Sequence, residues 1–211
     1  MRFKTIPDET ISRLFPYMRA LVCLNEKGAE IVSSNRLSKI CMINSAIIRK
    51  DFSYFGEFGK RGVGYNVPEL LAKIRKILKL EEYKKVALIG TGNIGRAILS
   101  YNYFPSEGFK IVLAFDKDVN KIGSEINGIR INDIQNAQRM ILDQNVEICI
   151  VATPVDETSK VINMLSEFGI DAFLSFSPCR LNLPDNVKVT CMDLSTELAK
   201  LAYYSNKEIE N

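Results

Sequence analysis

The residues best placed to do chemistry lie in Val86-Ala87-Leu88-Ile89-Gly90-Thr91-Gly92-Asn93-Ile94-Gly95-Arg96-Ala97, which reads as an apolar strand, a glycine turn and the opening of a helix. In a G-x-G-x-x-G turn the first glycine, here Gly90, permits the tight reversal. The second, Gly92, lets the backbone approach a pyrophosphate. The third, Gly95, lets the helix pack closely on the strand, so that its N-terminus points free N–H groups and the positive dipole end at phosphates. Such a turn alone is a weak signal, but its context here is favourable. Ile111 to Asp116 reads as a second strand and puts Asp116 at its C-terminal end, 21 residues after Gly95. A carboxylate there is placed to hydrogen-bond an adenosine ribose and to repel the 2′-phosphate of NADP. Gly90, Thr91, Gly92, Asn93, Ile94, Gly95, Asp116 and Lys117 are therefore expected to hold NAD+ or NADH. Ligands of such sheets lie across the strand C-termini, which makes Thr153-Pro154 and Ser177-Pro178 candidates for the nicotinamide end.

A second set of candidates lies in the first 80 residues. Ser33 to Ile40 and Asn44 to Phe52 read as two short helices joined by a tight turn, the second beginning Asn44-Ser45 and carrying Arg49-Lys50. That arrangement fits a helix-turn-helix. Tyr54 to Val67 alternates around a glycine-rich tip bearing Lys60-Arg61, which predicts a β-hairpin wing able to reach DNA. The candidate DNA contacts are Ser45, Ala46, Arg49 and Lys50 on the helix, and Tyr54, Gly59, Lys60 and Arg61 on the wing. Upstream, Ile11, Leu14, Phe15, Met18, Leu21 and Leu24 give a helical apolar face interrupted by Pro16, so a kink or two short helices are expected. Pro68 opens a further helix with Leu70, Leu71, Ile74, Ile77 and Leu78 on its buried side.

Charge divides the chain in the same place. Residues 1–80 carry 15 Lys+Arg against 7 Asp+Glu, and residues 81–211 carry 13 against 18, within a net charge of +3. A basic front half suits a polyanion partner. The polar segment Glu81 to Lys85 separates the halves, giving domains at 1–80 and 85–211. Beyond it strands and helices alternate through Gly128 to Ile131, Val146 to Ala152, Ala172 to Phe176 and Val187 to Met192, as expected of an α/β domain with a mostly parallel sheet covered on both faces. Leu194 to Tyr204 forms a last helix with Leu194, Leu198, Leu201 and Ala202 on one stripe, able to pack on its own domain or on a partner.

No apolar run reaches the roughly 18 residues of a membrane span, and Met1-Arg2-Phe3-Lys4 leads into no signal-like stretch, so a cytoplasmic protein is expected. The five cysteines show neither C-x-x-C nor metal spacing, and Cys149 reads as a buried small hydrophobe; no metal is expected. The nucleotide turn raises the possibility of hydride transfer, with two features against it. The chain has no histidine, the commonest general acid–base, and the 127 residues after position 84 are taken up by the nucleotide domain without a second domain to shape a substrate pocket. A sensor is favoured over an enzyme. A DNA-binding protein with nucleotide as a structural brace, or a small dehydrogenase with an accessory basic domain, are the alternatives.

The sequence closely resembles the Rex family of bacterial redox-sensing transcriptional repressors from Ile6-Pro7 to the last helix. The most specific stretches are Ile48-Arg49-Lys50-Asp51-Phe52-Ser53-Tyr54-Phe55-Gly56, Phe58-Gly59-Lys60-Arg61-Gly62-Val63-Gly64-Tyr65-Asn66-Val67 and the glycine turn. The resemblance implies a homodimer with a winged-helix domain and a Rossmann domain, bound to A/T-rich inverted repeats and released when NADH replaces NAD+. It implies a linked set of Arg19, Tyr101 and Asp193 coupling the nucleotide site to the DNA-binding domains, with Tyr101 also near the cofactor, and a last helix swapped into the partner subunit. Thr153 replaces the family's common valine, Asp156-Glu157-Thr158-Ser159 a run richer in small residues, and Ser175 a common asparagine.

Overall fold

The computed structural model describes residues 6–56, 58–59, 62–177, 183 and 186–205. The chain divides into two compact units, residues 1–82 and 83–211.

The first unit contains α1 (Asp8–Glu26), β1 (Ile31–Val32), α2 (Ser34–Cys41), α3 (Ser45–Ser53), β2 (Tyr65–Asn66) and α4 (Val67–Ile77). α1 follows Pro7 and places Asp8 and Glu9 in its first turn, acids at the positive end of the dipole. It runs as one helix through Pro16 instead of splitting in two. Leu14 before the proline and Tyr17, Met18, Leu21 and Leu24 after it are all buried. Burial worth about 1.5–3 kcal/mol per large apolar side chain outweighs the roughly 3 kcal/mol that an interior proline costs. The Ser33 hydroxyl caps α2 by accepting from Arg36 N at 3.1 Å, and the Asn44 side-chain Oδ1 caps α3 by accepting from Ala46 N at 2.8 Å.

β2 pairs antiparallel with β1, Ile31 opposite Asn66 and Val32 opposite Tyr65, so one partner strand precedes the helix-turn-helix. Residues 57, 60 and 61 of the expected hairpin over 54–67 lie outside the described residues. Gly56, Gly59, Gly62 and Gly64 all have φ between 74° and 112°, which breaks a regular strand before Tyr65. A Cβ at Gly64 would lie 2.7 Å from the Val32 carbonyl oxygen, so glycine there is what lets the two strands close.

The second unit runs β3 (Lys84–Ile89), α5 (Asn93–Leu99), β4 (Phe109–Asp116), β5 (Glu125–Ile126), β6 (Ile129–Asp133), α6 (Ala137–Gln144), β7 (Ile148–Val151), α7 (Val155–Glu167), β8 (Ala172–Ser175), β9 (Lys188–Cys191) and α8 (Leu194–Ser205). Its sheet has the order β5-β6-β4-β3-β7-β8-β9, parallel except for the β5–β6 hairpin. β3 alternates between two cores. Ala87 and Ile89 face Phe115, Ile141, Val151, Ile162 and Leu165, while Val86 and Leu88 face Leu99, Ile111 and Ala114. Covering helices on both faces account for strands that read as continuous apolar runs. Strand order reverses at β3, between β4 and β7, and ligands of open α/β sheets bind at that crevice.

Candidate functional site

The glycine turn sits at this reversal, and each glycine has its own reason. Gly90 has φ 91°, and a Cβ there would meet the Ala152 carbonyl oxygen at 2.6 Å. A Cβ at Gly95 would lie 2.0 Å from the Gly90 carbonyl oxygen, so any side chain would force α5 away from β3. At Gly92, by contrast, nothing lies within 4 Å of the Cβ position. That opening, at the start of α5 where N–H groups have no helical partner, is the cradle that a pyrophosphate requires.

A cavity of about 590 Å³ adjoins the turn, lined by Gly90, Gly92, Asp116, Lys117, Thr153 and Pro154 among others. Asp116 does more than face it. Its Oδ2 accepts from Thr91 N at 2.9 Å, Thr91 Oγ1 at 2.6 Å and Lys121 Nζ at 3.1 Å, and its Oδ1 accepts from Asp118 N at 3.0 Å. Burial raises a carboxyl pKa, but here the bonds from Thr91, Asp118 and Lys121 outweigh it and hold the group well below the ordinary range. Asp116 thus braces the end of β4 against the glycine turn, with its acceptor capacity largely engaged. Sequence reasoning missed the partners Thr91 Oγ1 and Lys121. Lys117 pairs with Glu157 from the first turn of α7, joining two rims of the cavity.

At the far end Thr153, Thr158, Ser175 and Ser177 form one network through their hydroxyls and backbone. Thr153 Oγ1 lies 3.2 Å from Thr158 Oγ1, and Thr158 Oγ1 donates to the Pro154 carbonyl at 3.0 Å. Ser177 Oγ donates to the Thr153 carbonyl at 2.9 Å, and Ser175 Oγ accepts from Ser177 N at 3.1 Å. Thr158, Ser175 and Ser177 are buried, so these polar groups are satisfied within the fold. The Thr153 methyl is directed at Gly90, 3.2 Å from where a Cβ would stand there. In that direction Thr153 presents the hydrocarbon surface of a valine. Pro178 lies outside the described residues.

Tyr101 is not brought to this cavity. It follows α5, which carries the chain away from the glycine turn, and it lines a separate cavity of about 690 Å³ with Phe104, Lys110, Asn127 and Arg130. Its ring meets Phe104 edge-on at 5.0 Å.

In the first unit, α3 buries Ile48, Asp51 and Phe52 and exposes Ala46, Arg49 and Lys50, with Ser45 half-buried at its start. The two cations therefore project from the face opposite the core. Arg49 Nη1 donates to Ser34 Oγ at 3.0 Å, which orients its guanidinium across the helix pair. Tyr54 is half-buried, and Gly59 has φ 74° with its Cβ position 2.3 Å from the Gly64 carbonyl oxygen, a site closed to other residues. Lys60 and Arg61 lie outside the described residues.

Comparison with known proteins assigns both units. A family model described as "Putative DNA-binding protein N-terminus" matches residues 5–53, and one described as "CoA binding domain" matches 81–179. Coenzyme A and NAD share an adenosine diphosphate moiety, the part that a glycine turn at a helix start engages. The redox-sensing transcriptional repressor Rex of Lactobacillus acidophilus is 40% identical over 98% of both chains. Its counterpart in Chloroflexus aurantiacus is 42% identical over 97% of both. The chain belongs to the Rex family of redox-sensing transcriptional repressors. Among solved structures, a Rex-family repressor in complex with β-NAD+ and operator DNA superposes with a TM-score of 0.87 at 33% identity, covering 97% of this chain and 95% of the other. The same repressor with β-NADH gives 0.83 at 31%, covering 97% and 96%.

This Rex chain distributes its expected coupling residues over both units. Arg19, on α1, lays its guanidinium over the Phe15 ring at 4.9 Å. Asp193 caps α8, its Oδ1 accepting from Ser195 N at 2.9 Å and its Oδ2 from Thr196 Oγ1 at 2.8 Å. Those bonds, that from Thr196 above all, hold its carboxyl below the ordinary range. Asp193 therefore has a structural duty at the start of α8, which the sequence reading did not register.

Proposed function

We propose that this Rex protein works as a cytoplasmic homodimer that grips an A/T-rich inverted repeat with residues 1–80 and releases it when NADH replaces NAD+ in the unit at 85–211. The observation that carries this reading is the open cradle at Gly92 beside an Asp116-braced turn, in the same chain as a capped helix presenting Arg49 and Lys50 to solvent. The dinucleotide contacts are Gly90 to Gly95 with Asp116 and Lys117, and the ring end is formed by Thr153 and Pro154. Ser45, Ala46, Arg49 and Lys50 enter the major groove, while Tyr54, Gly59, Lys60 and Arg61 serve the wing.

NAD+ and NADH differ at the nicotinamide by one positive charge. Thr153 ties its hydroxyl to Thr158 and turns its methyl toward Gly90, so we take it to present hydrocarbon to the cavity that would hold the ring. An apolar wall disfavours an unpaired cation. The proposed partner contact is α8, which buries none of its residues in its own protomer.

Fluorescence anisotropy with an A/T-rich inverted-repeat duplex at fixed salt, titrated with NADH and separately with NAD+, tests the reading. Release by NADH alone is expected; binding indifferent to both would leave a DNA-binding protein without a redox sensor. Salt is held constant because phosphate contacts make affinity fall steeply with ionic strength.

The coupling role of Asp193 needs a variant that spares its cap. Asp193→Ala removes the charge together with a cap worth about 0.5–2 kcal/mol, whereas Asp193→Asn keeps the cap. Asp193→Asn is expected to retain α8 by circular dichroism and to bind NADH with unchanged affinity. NADH should then displace its operator about tenfold less effectively, a change of roughly 1.4 kcal/mol within the usual range of coupling energies. Wild-type displacement by that variant would remove Asp193 from the coupling path.

A further inference from the structure

Two buried carboxylates among the described residues each accept four hydrogen bonds, Asp116 at the glycine turn and Asp51 in the first unit. Asp51, on α3, is 1% exposed. Its Oδ1 accepts from Thr10 Oγ1 at 3.0 Å and Arg13 Nη2 at 2.8 Å, and its Oδ2 accepts from Arg13 Nε at 2.7 Å and Tyr17 OH at 2.7 Å. All three donors belong to α1. The Arg13 contact is bidentate, which fixes orientation as well as distance. Burial favours the neutral acid, yet the bonds from Arg13, Tyr17 and Thr10 keep Asp51 below the ordinary carboxylate range, so it stays ionised around neutral pH.

Two features of the geometry give this cluster a purpose beyond holding the unit together. Asp51 directly follows Arg49 and Lys50, and it lies on the opposite face of the same nine-residue helix. A rotation of α3 about its axis that displaced the two cations would also pull Asp51 out of its four bonds. Moreover, the donors straddle Pro16, Thr10 and Arg13 before it and Tyr17 after it. The carboxylate thereby ties both sides of the point where α1 lacks a helical N–H. Tyr17 and Phe52 add an edge-on ring contact at 5.3 Å next to it.

We propose that Asp51 is a positioning residue for operator recognition: it fixes the rotation of α3 against α1 so that Arg49 and Lys50 meet a defined pair of base steps. Phosphate contacts tolerate a displaced helix, because long cationic side chains follow the backbone charge; base-edge contacts do not. Loss of the clamp therefore lowers discrimination between operator and unrelated DNA rather than DNA binding as such. A role confined to stability would reduce the folded fraction and weaken binding to both DNAs by the same factor.

The test uses full-length Asp51→Asn and Tyr17→Phe, with affinities for an A/T-rich inverted-repeat duplex and for a scrambled duplex of the same composition. Circular dichroism and NADH affinity are measured alongside. Asp51→Asn keeps the volume but turns a donor toward Arg13 or Tyr17, and should lower the operator-to-scrambled affinity ratio by about 30-fold. Tyr17→Phe removes one bond of the four and should lower that ratio by about 3-fold to 10-fold. NADH affinity should be unchanged in both. An unchanged ratio in a folded Asp51→Asn variant, or equal losses on the two duplexes, overturns the proposal. If Asp51→Asn loses its helical signal, Tyr17→Phe decides in the same way.

Discussion

Gly95→Ala will destabilise the second unit and abolish NADH binding, whereas Gly92→Ala will weaken binding and leave stability untouched. The new methyl of Gly95→Ala would stand 2.0 Å from the Gly90 carbonyl oxygen and 3.0 Å from its carbon. Both neighbours are backbone, so relief requires α5 to move off β3. Overpacking of this kind costs about 1–3 kcal/mol or more, enough to lower Tm by roughly 5–10 °C. The same movement displaces the N–H groups at the start of α5, and NADH affinity should fall by about 100-fold or more. At Gly92 the backbone has φ −69° and ψ −164°, values any residue adopts, and no atom lies within 4 Å of the Cβ position. The alanine methyl there enters only the cradle. Tm should hold while NADH affinity drops by about 10-fold to 100-fold, since displaced phosphates lose charge-assisted bonds. NADH fluorescence titration and calorimetry on both variants separate the two effects, and both variants should hold the operator at NADH concentrations that release the wild type. Wild-type NADH affinity in Gly92→Ala would mean that the pyrophosphate lies elsewhere.

This contrast marks what can be read from sequence. The glycine turn was legible because its logic is local: strand, reversal and helix start follow one another within twelve residues, and the order of apolar runs dictates a parallel sheet that reverses beside them. The position of Asp116 followed from the same spacing, but its bonds did not. Thr91 meets it across the turn, and Lys121 reaches back from beyond the strand, so only the folded chain shows that the acid is a brace. The pairing of Tyr65–Asn66 with Ile31–Val32 was not legible, because a two-residue strand is too short to stand out and its partner lies beyond the helix-turn-helix in sequence. Asp51 was hidden by its company. In Arg49-Lys50-Asp51 it reads as one more surface charge, although its spacing from Ile48 places it on the buried face. Pro16 shows the converse: a correct local rule overridden by apolar packing on either side of the proline.

The largest effect of all is expected from α8. Leu194, Leu198 and Leu201 are 66%, 65% and 64% exposed and form one stripe, with no residue of the helix buried in its own protomer. A helix of such composition does not hold together in water by propensity alone, because isolated helices of about a dozen residues are marginal. Its stripe calls for cover, which docking on a second copy would supply in the proposed homodimer; burying a leucine contributes about 1.5–3 kcal/mol. Leu198→Asp combined with Leu201→Asp reverses that contribution and adds two charges that the docked state would have to desolvate. The double variant is expected to sediment as a folded monomer, since neither side chain supports the protomer core. A monomer meets one half-site and forfeits the second, effectively intramolecular contact, a gain of about 10²–10⁴ in avidity. Operator affinity should fall by roughly 1000-fold, while NADH binding to the unit at 85–211 persists. If the double variant remained dimeric and bound the operator as the wild type does, α8 would have to pack elsewhere, and the two half-sites would be held together by another surface.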